Sequence, residues 1–453
     1  MKSLLTLMLN LLVLAILQAQ SVPPATDIRL YEIVEAVSSA RIGKDIQKLV
    51  DFGTRNTLSD TVSTTRGIGA ARRWIKQEFL SISSDCHNCL TVMEQRTLVE
   101  GDPKSRIKVD TWIVNIIAIQ KTATKNNRYV IMSGDIDSRA SSSTDGKTDA
   151  PGANDNASGM AGVLEAARVL SKYQFSANII YVGLSGEEQG LFGGRHLAQK
   201  ARDEGWNIIG VLNNDMIGNI EGVDGVIANN SFRIFSEPTP VTEPEDVRRR
   251  RRFYGGEVDG VSRQLARYVA SLTEKYMTNL EPILIYRLDR FGRGGHHRPF
   301  NDMGFAGIRI METHENYTRQ HQDIRTENGI AYGDVIEGVN FDYAAKLTAV
   351  NAITLASLAW APASPEDVKI GGAVQPSTSL SWTKSDDASI AGYKIYWRDT
   401  TAPQWQRSRY IGSVNKYTLE GLVIDNYLFG VASVGSDGHE SIIVFPSGLM
   451  PRK

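Results

Sequence analysis

Cysteine is almost absent from this sequence. Two residues in 453, Cys86 and Cys89, exclude a disulfide-built scaffold and a thiolate-rich metal site. An excess of charge of either sign is missing too. Fifty Lys and Arg face 51 Asp and Glu, so no global field points to nucleic acid or an anionic membrane as a partner. Beyond the first twenty residues no stretch approaches the roughly 18 continuous apolar residues of a membrane span, and no stable span is expected. Proline is sparse, with 15 residues against 40 glycines, which suggests many tight turns. What is present is globular in character. At 42% hydrophobic and 22% charged the chain is not disordered, and its length suits two or three domains.

Residues 1–19 are read as a secretory signal. Lys2 precedes an apolar run, Leu4–Leu17, interrupted by Thr6 and Asn10, and a small-residue site near Ala19 suits cleavage. The alternative, a retained anchor, has a run too short to span comfortably. A secreted or periplasmic location is therefore expected. In that compartment Cys86 and Cys89 read as a small local disulfide. A redox Cys-x-x-Cys is the alternative, although this one sits in a polar loop.

Residues 27–100 read as helical, with Ile68, Ala71, Ile75 and Phe79 at helical spacing. From Val109 strands alternate with helices. Ile113–Ile119, Tyr129–Met132, Ile179–Leu184, Ile208–Leu212, Ile283–Tyr286 and Gly307–Ile310 read as strands, Val261–Tyr276 and Ile336–Leu358 as helices. That alternation predicts an α/β fold, a three-layer α/β/α sandwich on a mostly parallel, mixed sheet. It occupies 20–360. A Pro-rich linker, 361–365, precedes a region of short strands, 366–453, expected to be an all-β, immunoglobulin-like sandwich. Its pattern resembles fibronectin type III, with Trp382 in the core and Tyr427 as the corner tyrosine. Such modules space domains or bind another protein or a polysaccharide.

In an open parallel sheet, ligands bind beyond the carboxyl ends of the strands. Six carboxylates gather there along the sequence: Asp135, Asp137, Asp155, Glu187, Glu188 and Asp215. Any one of them alone reads as a turn-former or helix cap. Six together would repel strongly unless cations lay between them. Read on extended backbone, Glu187 and Glu188 point in opposite directions, one to ligate a metal and one to act as general base. Of seven histidines, His321 lies beyond a strand end, with Asp323 placed to orient its ring. His296 and His297 open the preceding loop.

These motifs, Asp155-Asn-Ala-Ser-Gly159, Gly186-Glu-Glu-Gln-Gly190, Asn214-Asp-Met216 and His321, resemble the co-catalytic zinc aminopeptidases of metallopeptidase family twenty-eight. Glutamate carboxypeptidases and glutaminyl cyclases belong to the same family. The similarity covers about 40–360. It implies a peptide or protein substrate, Asp155 bridging two metals, Glu187 as base, Glu188 and His321 completing one zinc site, and Asp215 serving the other, with Asp137 supporting from behind. The family's first histidine falls on Asp135. The implied result is one firm zinc and a weaker second divalent ion, or a single metal if Asp135 is too short. The resemblance leaves two rival functions, a cyclase-like acyltransfer and a binding protein that has lost catalysis. Finally, Arg248–Arg252 lie in a loop-rich insertion, 219–256, as a solvated surface or as a basic feature at the site mouth favouring acidic substrates.

Overall fold

The computed structural model describes residues 22–122 and 126–451. The secretory-signal reading, residues 1–19, lies outside them. Among the described residues no helix is long and apolar enough to cross a membrane. The chain begins with three helices, α1 (Ile28–Ala36), α2 (Ser39–Val50) and α3 (Gly67–Asp85). The expected helical region ends there. Leu90–Val99 is an edge strand, β1, paired antiparallel with its neighbour in the sheet. Cys86 and Cys89 form a disulfide across the turn between α3 and β1. His87 and Asn88 inside it both adopt positive φ, 58° and 61°.

The sheet continues with β2 (Thr111–Gln120), β3 (Arg128–Asp135), β4 (Asn178–Leu184), β5 (Asn207–Asn214), β6 (Ser231–Ser236), β7 (Glu281–Ile285) and β8 (Gly307–Glu312). Its order is β1-β2-β4-β3-β5-β8-β6-β7. The central strands β4, β3, β5 and β8 run parallel, while β1, β2 and the β8–β6 pairing are antiparallel. A mixed sheet with a parallel centre matches the predicted fold class.

Helices α4 (Gly159–Leu170), α5 (Glu187–Gly190), α6 (Phe192–Asp203), α7 (Glu245–Tyr254), α8 (Val261–Tyr276), α9 (His297–Asp302) and α10 (Phe341–Trp360) complete this region. The last of these begins at Phe341, after a 3₁₀ turn at Ile336–Gly338. It is apolar on every face, as a helix packed on several sides must be, and carries Leu347, Val350 and Ile353 into the main core. Two glycines let α4 sit against the strand ends. A Cβ on Gly134 would meet the Gly159 carbonyl carbon at 2.7 Å, and one on Gly159 would collide with the Asn214 carbonyl oxygen. This close approach holds the turn before α4 over the tips of β3 and β5. A small antiparallel ribbon, β9 (Arg325–Glu327) and β10 (Ile330–Tyr332), follows β8.

The C-terminal region holds β11 (Glu366–Gly371), β12 (Thr378–Thr383), β13 (Ile390–Asp399), β14 (Arg407–Gly412), β15 (Lys416–Leu419), β16 (Tyr427–Gly435) and β17 (Gly448–Leu449). They form one sheet of order β15-β12-β11-β17 and another of order β14-β13-β16. Val368, Leu380, Trp382, Ile395, Phe429 and Val431 join both sheets in one apolar core, with half-buried Tyr427 packed against it.

Buried charge fastens this region to the rest. Asp259 accepts from Arg267 at 2.6 Å and from Arg398 at 2.8 Å. Nearby, the Asp27 carboxylate receives His439 Nε2 at 2.8 Å and caps α1 through the Arg29 amide. Burial would raise the Asp27 pKa, but hydrogen bonds from Arg29 and His439 outweigh it and hold the carboxyl at about 2. A depressed carboxyl adds stability that is present above its ordinary value of 3.8 and disappears as pH falls through about 2. An Asp27→Asn variant keeps an N-cap and loses the charge. Its melting temperature should lie below the parent's at pH 5, and the two should converge near pH 2; equal melting at both pH values would remove this role from Asp27.

Candidate metal centre

The carboxyl ends of β3, β4 and β5 bring the predicted acids to one rim. After β4 the chain turns at Gly186, whose φ of 75° is open to glycine at little cost. It then enters α5, a single helical turn. The expectation of extended backbone at Glu187–Glu188 is corrected here. The side chains diverge because successive residues on a helix are about 100° apart. The two oxygens of Asp137 accept from the Glu187 amide at 3.3 Å and the Glu188 amide at 3.1 Å. A buried carboxylate thus caps the turn and sets the direction of both glutamates.

Asp155 is fixed with equal care. The Asp334 carboxylate accepts from the amides of Asn154 and Asp155, at 2.9 and 2.7 Å. The Asn156 side-chain amide donates to Asp135 Oδ2 and to the Asn214 carbonyl, both at 2.8 Å. His321 arrives from the loop after β8 with a positive φ of 52°. Its Nε2 lies 3.0 Å from Asp155 Oδ2 and 3.1 Å from Glu188 Oε1. Burial disfavours charge on this ring, yet Glu188 and Asp155 overcome it and raise its pKa to about 9. Among the described residues, Asp155, Glu188 and His321 present donor atoms that all lie within 4.8 Å of one another. Two carboxylate oxygens and an imidazole nitrogen form a zinc donor set with room for a fourth ligand.

Asp135 and Asp215 stand outside this trio. Asp135 Oδ1 is 2.5 Å from His296 Nδ1, and its other oxygen is held by Asn156. Burial lowers the His296 pKa to about 4, so the ring is a neutral partner near pH 7. Asp215 Oδ2 is paired with Arg309 Nη2 at 2.9 Å. Arg309 is completely buried in β8 and also reaches Asp289 Oδ2 at 3.2 Å. Burial pulls its pKa down, but Asp215 and Asp289 outweigh that and raise it above the ordinary value. Two of the six acids predicted to gather around cations, Asp155 and Glu188, therefore converge on His321, and two of the remainder, Asp135 and Asp215, already have protein partners. The trio fits a divalent ion. Asp135 and Asp215 are held by His296, Asn156 and the Arg309 guanidinium and lie outside that donor cluster.

Arg309 is the residue that sequence reasoning missed. The available signal was an arginine inside a strand otherwise suited to full burial, Gly307-Ile-Arg-Ile-Met. His297 Nε2 donates to the Leu288 carbonyl at 2.8 Å and takes no part in the trio. Two further expectations are corrected. Asp323 is exposed and accepts from the Ser141 amide at 3.1 Å; it ties the His321 loop to the loop after β3, and its hydrogen bond goes there rather than to the ring. Arg248–Arg252 lie in α7, not in a loop. Arg248, Arg250 and Arg251 pair with Glu245, Asp246 and Glu243. The residues that follow, Gly255 and Gly256, pack by Leu428 and Phe445 of the C-terminal region.

Residues 115–335 match Peptidase family M28. A probable zinc metalloprotease of Leptosphaeria maculans is 41% identical over 426 residues, covering 94% of this chain and 98% of its own length. Another, from Pyricularia oryzae, is 38% identical over 427 residues, covering 93% and 84%. The LapA aminopeptidase of Legionella pneumophila shares the fold with a TM-score of 0.53 at 18% identity, over 76% of this chain and 78% of its own. A glutaminyl cyclase of Macrostomum lignano does so with a TM-score of 0.51 at 14% identity, over 74% and 94%. The solved structures share only the fold at such identities, whereas the fungal relatives match over nearly their whole length. This chain belongs to peptidase family M28, among its zinc metalloproteases.

Proposed function

We propose that this protein is an exported exopeptidase, an aminopeptidase, that works with one zinc ion held by Asp155, Glu188 and His321. The observation that carries the reading is the convergence of those three donors beside a third acid, Glu187, that belongs to none of their contacts. A zinc ion in such a set supplies Lewis-acid polarisation of a carbonyl and a lowered pKa for water. Glu187 does the proton work. Burial, then Glu188, Asp215, Asp135 and Asp155, raise its pKa well above the usual value when no cation offsets them, and a divalent ion beside it would favour the ionised, proton-accepting form. It takes a proton from the attacking water and returns it to the leaving amine. Asp137 keeps Glu187 and Glu188 in register through their amides, so base and ligand are positioned by one carboxylate. Export rests on the N-terminal signal pattern and the local disulfide.

A second reading follows from the same trio. One metal is enough to activate an amide for intramolecular attack, as in a glutaminyl cyclase. The two are separated by offering zinc-loaded and chelator-stripped protein a free-amine peptide, its N-acetylated form and a peptide with N-terminal Gln. Zinc-dependent release of free amino acids from the two peptides with a free amine, and not from the acetylated one, is expected. Ring closure of the Gln peptide without hydrolysis would establish the second reading, and cleavage of the acetylated peptide would rule out an aminopeptidase.

A further inference from the structure

A cleft of about 730 Å³ opens between α3 and the β1–β2 edge, outside the metal centre. Five cations line it: Arg72, Arg73, Arg96, Arg106 and Lys108. Two acids are present, Glu94 and Asp110. Glu94 is engaged by Lys76 at 2.9 Å, and Asp110 accepts from the Gly101 amide at 2.9 Å. Glu94 also meets Arg96 at 3.5 Å, and the five cations still outnumber the two acids, so the cleft carries net positive charge.

Arg72 is the decisive residue. It is 7% exposed, its Nε donates to Ser185 Oγ at 3.3 Å, and its Nη2 is buried with no hydrogen-bond partner. A buried guanidinium is normally matched by a carboxylate or phosphate in fork geometry, and an orphaned donor asks for an explanation. The cleft also backs on the catalytic segment. Arg106 Nη1 donates to the Glu188 carbonyl at 2.6 Å, and Ser185 lies two positions before Glu187. Trp112, half-exposed, forms an apolar wall with Arg96 above its ring at 5.7 Å.

We infer that this cleft is a substrate subsite for a carboxylate, received by Arg72 and supported by Arg96, Arg106 and Lys108, so that acidic peptides are the preferred substrates. The inference rests on the peptidase reading and names the substrate class of that site. The carboxylate can come from an Asp or Glu side chain beside the scissile bond or from the C-terminus of a short peptide.

The test compares kcat/KM for paired peptides, Asp against Asn and Glu against Gln, each as free acid and as C-terminal amide. A preference of about tenfold or more for the acidic side chain, in acid and amide forms alike, is expected, and it should shrink as salt rises. A preference that follows the free C-terminus instead would assign the cleft to the terminal carboxylate. The double variant Arg96→Ser/Lys108→Ser changes exposed positions and should lower the acidic-to-neutral ratio; Arg72→Met should abolish it. Binding is read separately on Glu187→Gln protein, by quenching of Trp112 fluorescence with an acidic dipeptide amide. Equal kcat/KM for acidic and neutral peptides, with no quenching, overturns the subsite and leaves the peptidase intact. No hydrolysis of any peptide, with quenching retained, overturns the peptidase reading and leaves the anion site.

Discussion

A Glu187→Gln variant should lose about 10²–10⁴-fold in kcat while retaining the parent's zinc content. The substitution is isosteric and removes only the ability to hold a proton. Asp137 caps α5 through backbone amides, so the turn has no reason to move. Glu187 is not one of the three clustered donors, so metal affinity should be preserved. Zinc content by mass spectrometry and single-turnover kinetics on a free-amine peptide check both halves. Loss of zinc together with activity would show that Glu187 is a ligand. Full activity with zinc bound would remove the general base and favour the non-catalytic alternative.

The second large effect concerns Arg309. Replacing it by Met should cost about 3–5 kcal/mol, the usual consequence of removing one partner from a buried ion pair. Two carboxylates, Asp215 and Asp289, would lose the guanidinium that now contacts both, at 2.9 and 3.2 Å. Lys at this position carries the charge but cannot fork between two acids, so Arg309→Lys should fall between Met and the parent. A thermal melt measures this. Metal content gives an independent readout. The parent should bind one zinc per chain, because the cation beside Asp215 is supplied by the protein. The Met variant, freed of that charge, should take up a second divalent ion when Mn²⁺ or Zn²⁺ is added. Two tight zincs in the parent would defeat the one-metal reading.

The parts of this molecule that were legible in the sequence are those with local signatures. Apolar, β-branched runs such as Tyr129–Met132 and Ile179–Leu184 announce buried strands wherever they occur. The turns that follow them carry Asp137, Asp155, Glu187 and Glu188 in short motifs whose glycines make the geometry possible. The strand at Leu90–Val99 has no such signature: it follows three helices, and its run of Glu94, Gln95, Arg96 and Thr97 breaks any period-two alternation.

The chemistry of the acids was less legible than their positions. Whether a carboxylate is a metal ligand or an ion-pair partner depends on what faces it, and that is a long-range property. The residue that meets Asp135, His296, is 161 positions away, and the arginine that meets Asp215 is 94 positions away. The resemblance implied that Asp135 and Asp215 would look toward a second metal. In this structure they also face an imidazole and a buried guanidinium, partners no local motif announces. The same holds for Arg72, a helix residue of no special pattern until β1 and β2 close a basic cleft around it.

The sequence by itself determined the α/β architecture, the carboxylate rim and the spacing that joins Glu187 to Glu188, because each arises from neighbours along the chain. Only the tertiary structure decided which acids converge on an imidazole and which meet a buried guanidinium. Charge compensation in a buried site is settled by the nearest opposite charge in space, and packing alone chooses that partner.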